Sequence, residues 1–449
     1  MIIVESTNEY SNFKKNITNQ PSLVIPIYSD QYLHSSKNRI SFLYVCLFDK
    51  TEYIISFHHN DIIACDKSLN EILNPNSGLF VYEKKKFLYH FHNSKMNDID
   101  LMQYFSSNQI IDLESTTSHD FLSRRLYKFK NLNDVIPITK HYERCCKLRD
   151  KFFSIKWTPP KSYDYYNDLL IGVLFNIEKN GLFVDYNKFV EKFGQNDIQN
   201  NLTFSEYNIY TTTGRPSNHH LGINYAALNK EDGTRSVFTS RFENKGFLIQ
   251  CDYDAYHLRL IAELIGYDFP KKISVHEYLG KQYFQKDELT PEEYAVSKQV
   301  SFQQLYGGVL PEYQNIKYFQ EVKKYIDKLF GEFKKNTYIN TKVFNRELHK
   351  EFFTDINRNK IFNYLLQNFE TERNMTVLYE LIKYFNKVKA KSKLILYCYD
   401  SILFDYCIED GKQLIIETKK ILEQDGKYPI KIEIGSNYHN MKTTKRLSV

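Results

Sequence analysis

The sequence predicts an α+β protein in which a helix-rich insertion separates two strand elements, each carrying an aspartate at one end. The apolar run FLIQCDYD (247–254) leads to Asp252, and the apolar hairpin LILYCYDSILFDY (394–406) carries Asp400 at its turn. The pattern between them is mostly helical, whereas residues 1–155 alternate short strand and helix patterns. A smaller α/β region therefore precedes an antiparallel sheet with a helical insertion.

Composition is that of a globular protein. The 449 residues are 42% hydrophobic and 25% charged, and the chain is long enough for two or three domains. The net charge of +6 permits a polyanionic partner without requiring one. Seven cysteines without CxxC spacing argue against structural zinc and a disulfide framework, and no apolar run reaches the ~18 residues of a membrane span. We therefore expect a cytoplasmic protein with no membrane partner.

The N-terminal elements suggest a separate domain over 1–160. Strand-like runs alternate with polar turns over residues 21–60, which predicts an antiparallel meander. A strand at GLFVYE (78–83) and helices at DLMQYFSS (100–107) and YERCCKLRDKFF (142–153) follow. The paired prolines of KWTPPKSYDYYND (156–168) predict a linker to a second domain over 161–449.

The second domain begins with a predicted helix that ends near Gly181, a plausible C-cap. The strand that carries Asp252 comes next, with helices expected over 258–266 and 291–306 and a long helical region over 315–388. The hairpin around Asp400 and the segment KIEIG (431–435) complete the predicted sheet.

A chemical function is predicted by three stretches taken together: residues 247–254, 294–308 and 394–406. On a helix through YAVSKQVSFQQLYGG (294–308), Lys298, Phe302 and Tyr306 are spaced four apart and share one face. Two carboxylates at one sheet edge can bridge a pair of divalent ions ~3.5–4 Å apart, a lysine can neutralise a phosphate, and an aromatic ring can stack on a base. Singly, each feature is more simply a turn aspartate or a packed helix face. In combination they predict phosphoryl transfer to a nucleotide.

In their order, these stretches resemble the motifs of family A (DNA polymerase I-like) DNA polymerases. DYDAYHLRLIAELIG (252–266) resembles the first palm motif, KQVSFQQLYGG (298–308) the fingers-helix motif Lys-x3-Phe-x3-Tyr-Gly, and YCYDSILFDY (397–406) the second palm motif. Further similar segments follow the family's order: TTTGRPSN (211–218), HEYL (276–279), NYLLQN (363–368) and IEIGSNYHNM (432–441). The similarity covers roughly 165–449.

This resemblance implies a right-hand polymerase. Its palm would comprise 161–264 and 361–449, with an antiparallel sheet, and its helical fingers 265–360. Only about 30 residues lie where the family has a long thumb hairpin, so the thumb near 182–210 would be much reduced. A short, thumb-poor chain of this kind resembles phage or viral replicases.

The resemblance also assigns roles to individual residues. Asp252 and Asp400 would hold two Mg²⁺ ions, for which Mn²⁺ can substitute, together with the backbone carbonyl of Tyr253. Lys298 would contact the triphosphate and protonate the leaving pyrophosphate. The nucleotide pocket would also contain Phe302, Tyr306, His276 and His257, and the primer–template would contact Arg215, Asn224, Asn363 and Gln367.

The sequence departs from the family pattern at several of these places. Tyr294 stands where the fingers helix has an arginine, and Tyr399 and Ser401 stand where the second palm motif has His and Glu. His257 replaces the glutamate that helps to block a ribose 2′-OH, so dNTP against rNTP selectivity is open. We expect Asp405 to lie too far along the hairpin to replace the lost carboxylate, and Asp254 to face away from the site.

Residues 1–160 resemble, in element order, an RNase H-like 3′–5′ exonuclease domain of the α/β class. That chemistry needs four acids around two metals, yet VIPIYSDQ (24–31) has no Asp-x-Glu pair. Cys146 stands four residues after Tyr142, where an aspartate is expected. We therefore expect a degenerate domain without proofreading activity.

The sequence favours a template-directed DNA polymerase that acts on primer–template DNA and dNTPs in replication. A processivity or replisome protein would compensate for the missing thumb. Two alternatives remain: a single-subunit RNA polymerase or primase-like enzyme, and a catalytically lapsed nucleic-acid-binding replisome protein.

Overall fold

The computed structural model describes residues 1–30, 33–73, 78–92, 95–108, 132–156, 158–194, 198–270, 273–307, 310–353 and 355–443. The chain forms two compact units, Met1–Phe175 and Asn176–Val449. Among the described residues, no helix combines the length and the apolar composition needed to cross a membrane.

The first unit is built on a six-stranded mixed sheet. Its strands are β1 (Ile2–Ile3), β2 (Ser22–Tyr28), β3 (Ile40–Leu47), β4 (Glu52–Ser56), β5 (Leu79–Val81) and β6 (Met96–Asp98), in the order β1-β4-β3-β2-β5-β6. Strands β2, β3 and β4 pair antiparallel, which confirms the predicted meander. Strand β5 runs parallel to β2, and β6 runs parallel to β5. Every residue of β2, β3 and β4 is buried, as expected for a sheet covered on both faces.

Helical structure in the first unit continues past residue 160, where the sequence predicts a linker. The helices of this unit are α1 (Thr7–Thr18), α2 (Leu69–Ile72), α3 (Lys84–Phe87), α4 (Ile99–Ser107), α5 (Ile138–Ser154) and α6 (Lys161–Asp164). A π-helical turn, Tyr165–Leu170, continues from α6 into α7 (Ile171–Glu178), which contains the division between the units.

The linker predicted for 156–168 is therefore wrong in its second half. The buried ammonium of Lys84 donates to the carbonyl of Asn167 at 2.9 Å and to Asp168 at 3.1 Å. The hydroxyl of Tyr163 donates to the carbonyl of Asp98 at 3.1 Å. These contacts attach the segment to the first unit, because a buried ammonium must be paired. Trp157 lies outside the described residues.

The second unit contains a five-stranded antiparallel sheet that positions both aspartates. Its strands are β12 (Gly246–Tyr253), β15 (Lys393–Cys398), β16 (Ser401–Cys407), β17 (Ile430–Gly435) and β18 (Lys442–Thr443), in the order β15-β16-β12-β17-β18. The central strand β12 is buried from Leu248 to Cys251 and becomes more accessible at Asp252. The predicted hairpin and the predicted C-terminal strand are both confirmed.

Shorter strands lie outside this sheet. They are β7 (Leu182–Phe183) with β8 (Leu202–Thr203), β9 (Tyr207–Asn208) with β10 (Ser217–His220) and β11 (Ile223–Asn224), and β13 (Tyr338–Asn340) with β14 (Glu347–His349). In the described part of 182–210, where a reduced thumb is predicted, the longest helix is α8 (Tyr186–Phe193).

The helices of the second unit after α8 are α9 (Tyr256–Ile265), α10 (Val275–Phe284), α11 (Pro291–Gly307), α12 (Lys317–Asn336), α13 (Arg358–Lys387) and α14 (Gly411–Glu423). The single helical region predicted over 315–388 is wrong, because the β13–β14 hairpin interrupts it. Thr337 ends α12 in the left-handed conformation (φ 64°). The β-branched and asparagine-rich run TYINTKVFN (337–345) that follows has low helix propensity.

Candidate active site

Asp252 and Asp400 lie beside each other at one end of the central strands. In the β12–β16 pairing, Asp252 is opposite Ser401, the residue after Asp400. The backbone N–H of Tyr253 donates to the carbonyl of Asp400 at 2.9 Å. Tyr399 makes the tight turn possible with φ 63°, and Asn374 donates to its carbonyl at 2.8 Å. Two aspartates far apart in the sequence are thus held by backbone hydrogen bonds.

The electrostatics of the two carboxylates are unfavourable in the absence of a cation. Burial, followed by the charge of Asp400, raises the pKa of Asp252 from 3.8 to about 6. The pKa of Asp400 is also raised, first by the loss of water around its carboxylate and then by the nearby charge of Glu370. Asp400 lies at an exposed turn, so part of its surface still contacts solvent. Among the described residues, neither aspartate has an ion-pair partner. The pair therefore provides negative charge that a bound cation would neutralise.

This donor set fits magnesium. Mg²⁺ prefers oxygen ligands and is commonly held by one or two carboxylates together with water and substrate phosphates. Within the described ranges, no group of three or more His, Cys, Asp or Glu side chains is arranged as a metal centre. Two carboxylates alone therefore suit ions that complete their coordination with substrate oxygens.

A cleft of about 650 Å³ opens in front of the two aspartates. Eight of the residues to which the sequence assigned a role in the site line it: Arg215, Asp252, Tyr253, His257, His276, Lys298, Phe302 and Asp400. These residues come from the turn after β9, from β12 and α9, from α10 and α11, and from the β15–β16 hairpin. The cleft therefore brings together all three stretches to which the sequence assigned chemistry.

Helix α11 presents Lys298 and Phe302 to the cleft. Lys298 is exposed, and its ammonium lies 4.7 Å from the ring centroid of Tyr294, one helical turn earlier. Phe302 is 46% exposed, and its ring lies 6.0 Å from that of His276. Tyr306 belongs to the same helix, but its side chain lies outside the described part of the structure.

His276 is a neutral, buried imidazole at neutral pH. It is 5% exposed, and its Nδ1 has no hydrogen-bond partner among the described residues. Burial lowers its pKa to about 4, with Asp254 opposing that shift and Lys298 reinforcing it. An unpaired polar atom at the cleft is available for a ligand.

His257 and Arg215 are joined by a residue that the sequence analysis did not single out. Both contact the fully buried carboxylate of Glu370 on α13, His257 at 3.2 Å and Arg215 at 2.9 Å. The guanidinium of Arg215 also stacks on the ring of Tyr399, 3.5 Å from its centroid. Arg215 is therefore part of a buried network and more than a turn residue.

The remaining predicted nucleic-acid contacts do not line the cleft. Asn224 is exposed, and its side chain accepts the N–H of Ala226 at 3.2 Å. Asn363 and Gln367 are half-buried on α13, and the buried Oδ1 of Asn363 has no hydrogen-bond partner in the described part of the chain. Their roles toward a primer–template stay predictions.

Two further aspartates behave differently from each other. Asp405 is buried, 2.7 Å from Nε of Arg241, and pairs with Leu248 in the ladder four residues before Asp252. It does not line the cleft, which agrees with the expectation that it lies too far along the hairpin to replace the lost carboxylate. Asp254, which we expected to face away, lines the cleft, where its carboxylate pairs with Arg259 at 3.0 Å.

Several charged residues of the cleft were missed by sequence reasoning: Lys230, Glu370, Lys431 and Glu433. Lys431 lies opposite Asp252 in the β12–β17 ladder and pairs with Glu433 at 2.5 Å. Glu370 had a sequence signal, because Asn363, Gln367, Glu370 and Asn374 are spaced to share one face of α13. Lys230 has no such signal, since it lies in the loop before β12.

Two buried carboxylates of the first unit, Glu52 and Asp134, are paired within the protein. The hydroxyl of Tyr142 donates to Glu52 at 2.5 Å, and Arg149 pairs with the same carboxylate. At the end of β2, Ser29 and Arg39 both bond to Asp134 at 2.8 Å. These carboxylates are bound by protein donors.

The chain has the fold of a DNA polymerase domain. It superposes on the solved structure described as the POL domain of Pol1 from M. smegmatis in complex with DNA primer-template and dNTP, with a TM-score of 0.71. The match covers 98% of this chain and 99% of that chain at 12% sequence identity, so the likeness concerns the fold. No protein-family model matches the sequence.

Proposed function

We propose that the protein is a template-directed DNA polymerase that adds dNTPs to a primer 3′-OH. The observation that carries this proposal is the cleft, which has Asp252 and Asp400 adjacent at its floor and Lys298 on a facing helix. It lies in a fold shared with a polymerase domain that was solved with primer-template and dNTP. Phosphoryl transfer needs mainly positioning and charge neutralisation, which this arrangement can supply.

In this proposal each side chain has a defined task. Asp252, Asp400 and the carbonyl of Tyr253 would hold Mg²⁺, which supplies Lewis-acid stabilisation of the attacking and leaving oxygens. Lys298 would bind the triphosphate and give a proton from Nζ to the departing pyrophosphate. The unpaired Nδ1 of His276 would hydrogen-bond a phosphate oxygen as a neutral group, and the exposed ring of Phe302 would pack against the incoming base.

The domain assignments belong to the same proposal. The five-stranded sheet would be the palm, helices α10 to α12 would belong to the fingers, and the segment around α8 would be a reduced thumb. The first unit would be an RNase H-like domain without nuclease activity. The mixed strand order of the first sheet supports the RNase H-like assignment. The ion pairs of Glu52 with Arg149 and of Asp134 with Arg39 support the absence of nuclease activity.

Extension of a labelled primer on a defined template, with Mg²⁺ and either dNTPs or rNTPs, tests the proposal. Extension with dNTPs, lost in Asp252→Asn and Asp400→Asn, is the expected result. The exposed Asp287→Asn on the same unit serves as the matched control and should extend normally. Preferential use of rNTPs would favour an RNA polymerase or primase, whereas DNA binding with no extension of any kind would leave only a nucleic-acid-binding role.

A further inference from the structure

We propose that Glu370 is a positioning residue that fixes Arg215 and His257 against the metal-binding turn, so that the primer end and the nucleotide are aligned. The inference rests on the proposed polymerase function. It assigns a task to a carboxylate that neither the motif pattern nor the likeness to a known fold identifies.

The geometry around Glu370 is that of a clamp. Its side chain is fully buried on α13, and Oε2 lies 2.9 Å from Nε of Arg215. Its other oxygen, Oε1, lies 3.2 Å from Nε2 of His257 and accepts from Nη2 of Arg215 at 3.4 Å. One carboxylate thus connects three segments that are distant in the sequence.

The clamp is held by electrostatics. An isolated carboxylate in the interior is strongly destabilising, and removing one partner of a buried pair leaves an uncompensated charge. Burial alone would raise the pKa of Glu370, but His257 and Arg215 outweigh it and keep that pKa below its ordinary value. Glu370 therefore remains charged, and Arg215 and His257 cannot move away from it without a penalty.

The clamp reaches the metal-binding turn through Arg215. The guanidinium that Glu370 holds stacks on Tyr399, the residue directly before Asp400. Tyr399 has a left-handed backbone, and its carbonyl accepts from Asn374, one helical turn after Glu370 on α13. The position of the turn that carries Asp400 thus depends on side chains of α13.

The test compares two buried glutamates on the same helix. Glu372 is also fully buried, but it accepts the N–H groups of Val343 and Phe344 at 3.0 and 2.9 Å and does not line the cleft. We expect Glu370→Gln to lower kcat by roughly 10–100-fold, the range seen when a group that orients a catalytic residue is removed. The KM for dNTP should change far less, and Glu370→Asp should recover part of kcat. Glu372→Gln should lower thermal stability while leaving kcat unchanged.

A double-variant cycle shows whether Glu370 acts through Arg215. Primer–template affinity, measured by fluorescence anisotropy without nucleotide, and kcat are compared for Arg215→Ala, Glu370→Gln and the pair. Because Glu370 also holds His257, the double variant can be worse than Arg215→Ala alone, but its loss should be clearly smaller than the sum of the two single losses. Additive losses, or a Glu370→Gln protein whose only defect is the stability loss of Glu372→Gln, would overturn the proposal. Absence of extension by the wild-type protein would instead remove the polymerase assignment, while the anisotropy cycle would still report on the clamp.

Discussion

At the scale of single residues, the site holds charge that the fold does not neutralise. Asp252 and Asp400 are neighbours and have no ion-pair partner among the described residues, whereas Asp405, on the same hairpin, is paired with Arg241. The ion pair of Asp405 with Arg241 stabilises the fold, whereas two adjacent carboxylates without ion-pair partners destabilise it. The contrast distinguishes the two carboxylates proposed to bind a cation from Asp405, which stabilises the fold.

The raised pKa of Asp252 predicts that Asp252→Asn stabilises the metal-free protein. Because the folded-state pKa of about 6 exceeds the ordinary 3.8, the folded state retains its proton longer, and stability falls as pH rises through this window. Above about pH 6 the substitution should raise the free energy of unfolding by roughly 1–3 kcal/mol. Thermal unfolding in EDTA at pH 4 and pH 8 checks this, with a small gain expected at pH 4 and the full gain at pH 8. Asp405→Asn should have the opposite sign, costing about 3 kcal/mol, because it breaks a buried ion pair.

The contact of His257 with Glu370 leads to a second prediction about single residues. His257→Glu would introduce the residue that the resembling family carries at this place, but it would set two carboxylates together in a buried site. We expect that variant to lose more activity and more stability than His257→Gln. Adding Glu370→Gln to it should restore part of both, as measured by primer extension and by thermal unfolding. No recovery in the double variant would mean that the two side chains do not interact.

In the proposed polymerase, Lys230 should supply the positive charge that α11 lacks at Tyr294. It is exposed, lines the cleft and has no ion-pair partner among the described residues. Lys230→Ala should therefore raise the KM for dNTP roughly tenfold, since losing a charge-assisted contact costs about 1.5–3 kcal/mol. The exposed Lys412→Ala on α14 provides a control outside the cleft and should leave KM unchanged.

At the scale of elements, α13 organises the site more than its two predicted amides suggested. Asn368 donates to the carbonyl of Thr213 at 2.8 Å, Glu370 binds Arg215, and Asn374 supports the turn at Tyr399. The sequence identified the strands and helices that carry chemistry, because apolar periodicity and motif order are local signals. Helical spacing could place Glu370 on the same face as Asn363 and Gln367, but it could not reveal the contact with Arg215, which spans 155 positions and depends on packing.

The turn that precedes β10 provides an element-scale prediction. Gly214 has φ 71°, and a Cβ there would lie 2.3 Å from Oδ1 of Asn368. Gly214→Ala should destabilise the protein and displace Arg215, with backbone strain alone costing about 1 kcal/mol and the collision adding to it. Gly266 has a similar left-handed φ of 65° with nothing within 4 Å of a Cβ among the described residues, so Gly266→Ala isolates the strain. Thermal unfolding and primer extension of the two variants should differ; equal effects would show that the contact with α13 is unimportant.

At the scale of the whole molecule, the sequence predicted the fold better than it predicted the contacts of individual side chains. The likeness to a polymerase domain extends over 98% of the chain at only 12% identity. Elements such as β12, α11 and the β15–β16 hairpin were predictable because their patterns are long and regular. The β13–β14 hairpin and the helical segment after residue 160 were not, because tertiary contacts override weak local preferences there.

The reduced thumb proposed near 182–210 leads to a prediction about DNA binding by the full chain. With few contacts around the duplex, binding would depend mainly on cleft cations such as Arg215 and Lys230, aided by the net charge of +6. Each neutralised phosphate contributes a slope of ~0.9 in log affinity against log salt, so four contacts would weaken binding ~100-fold between about 50 and 200 mM salt. Fluorescence anisotropy with a primer–template should therefore give a Kd of ~1 µM or weaker at about 150 mM salt. Tight binding that changes little with salt would show that another surface of the protein grips the duplex, and a thumb-poor description would then be wrong.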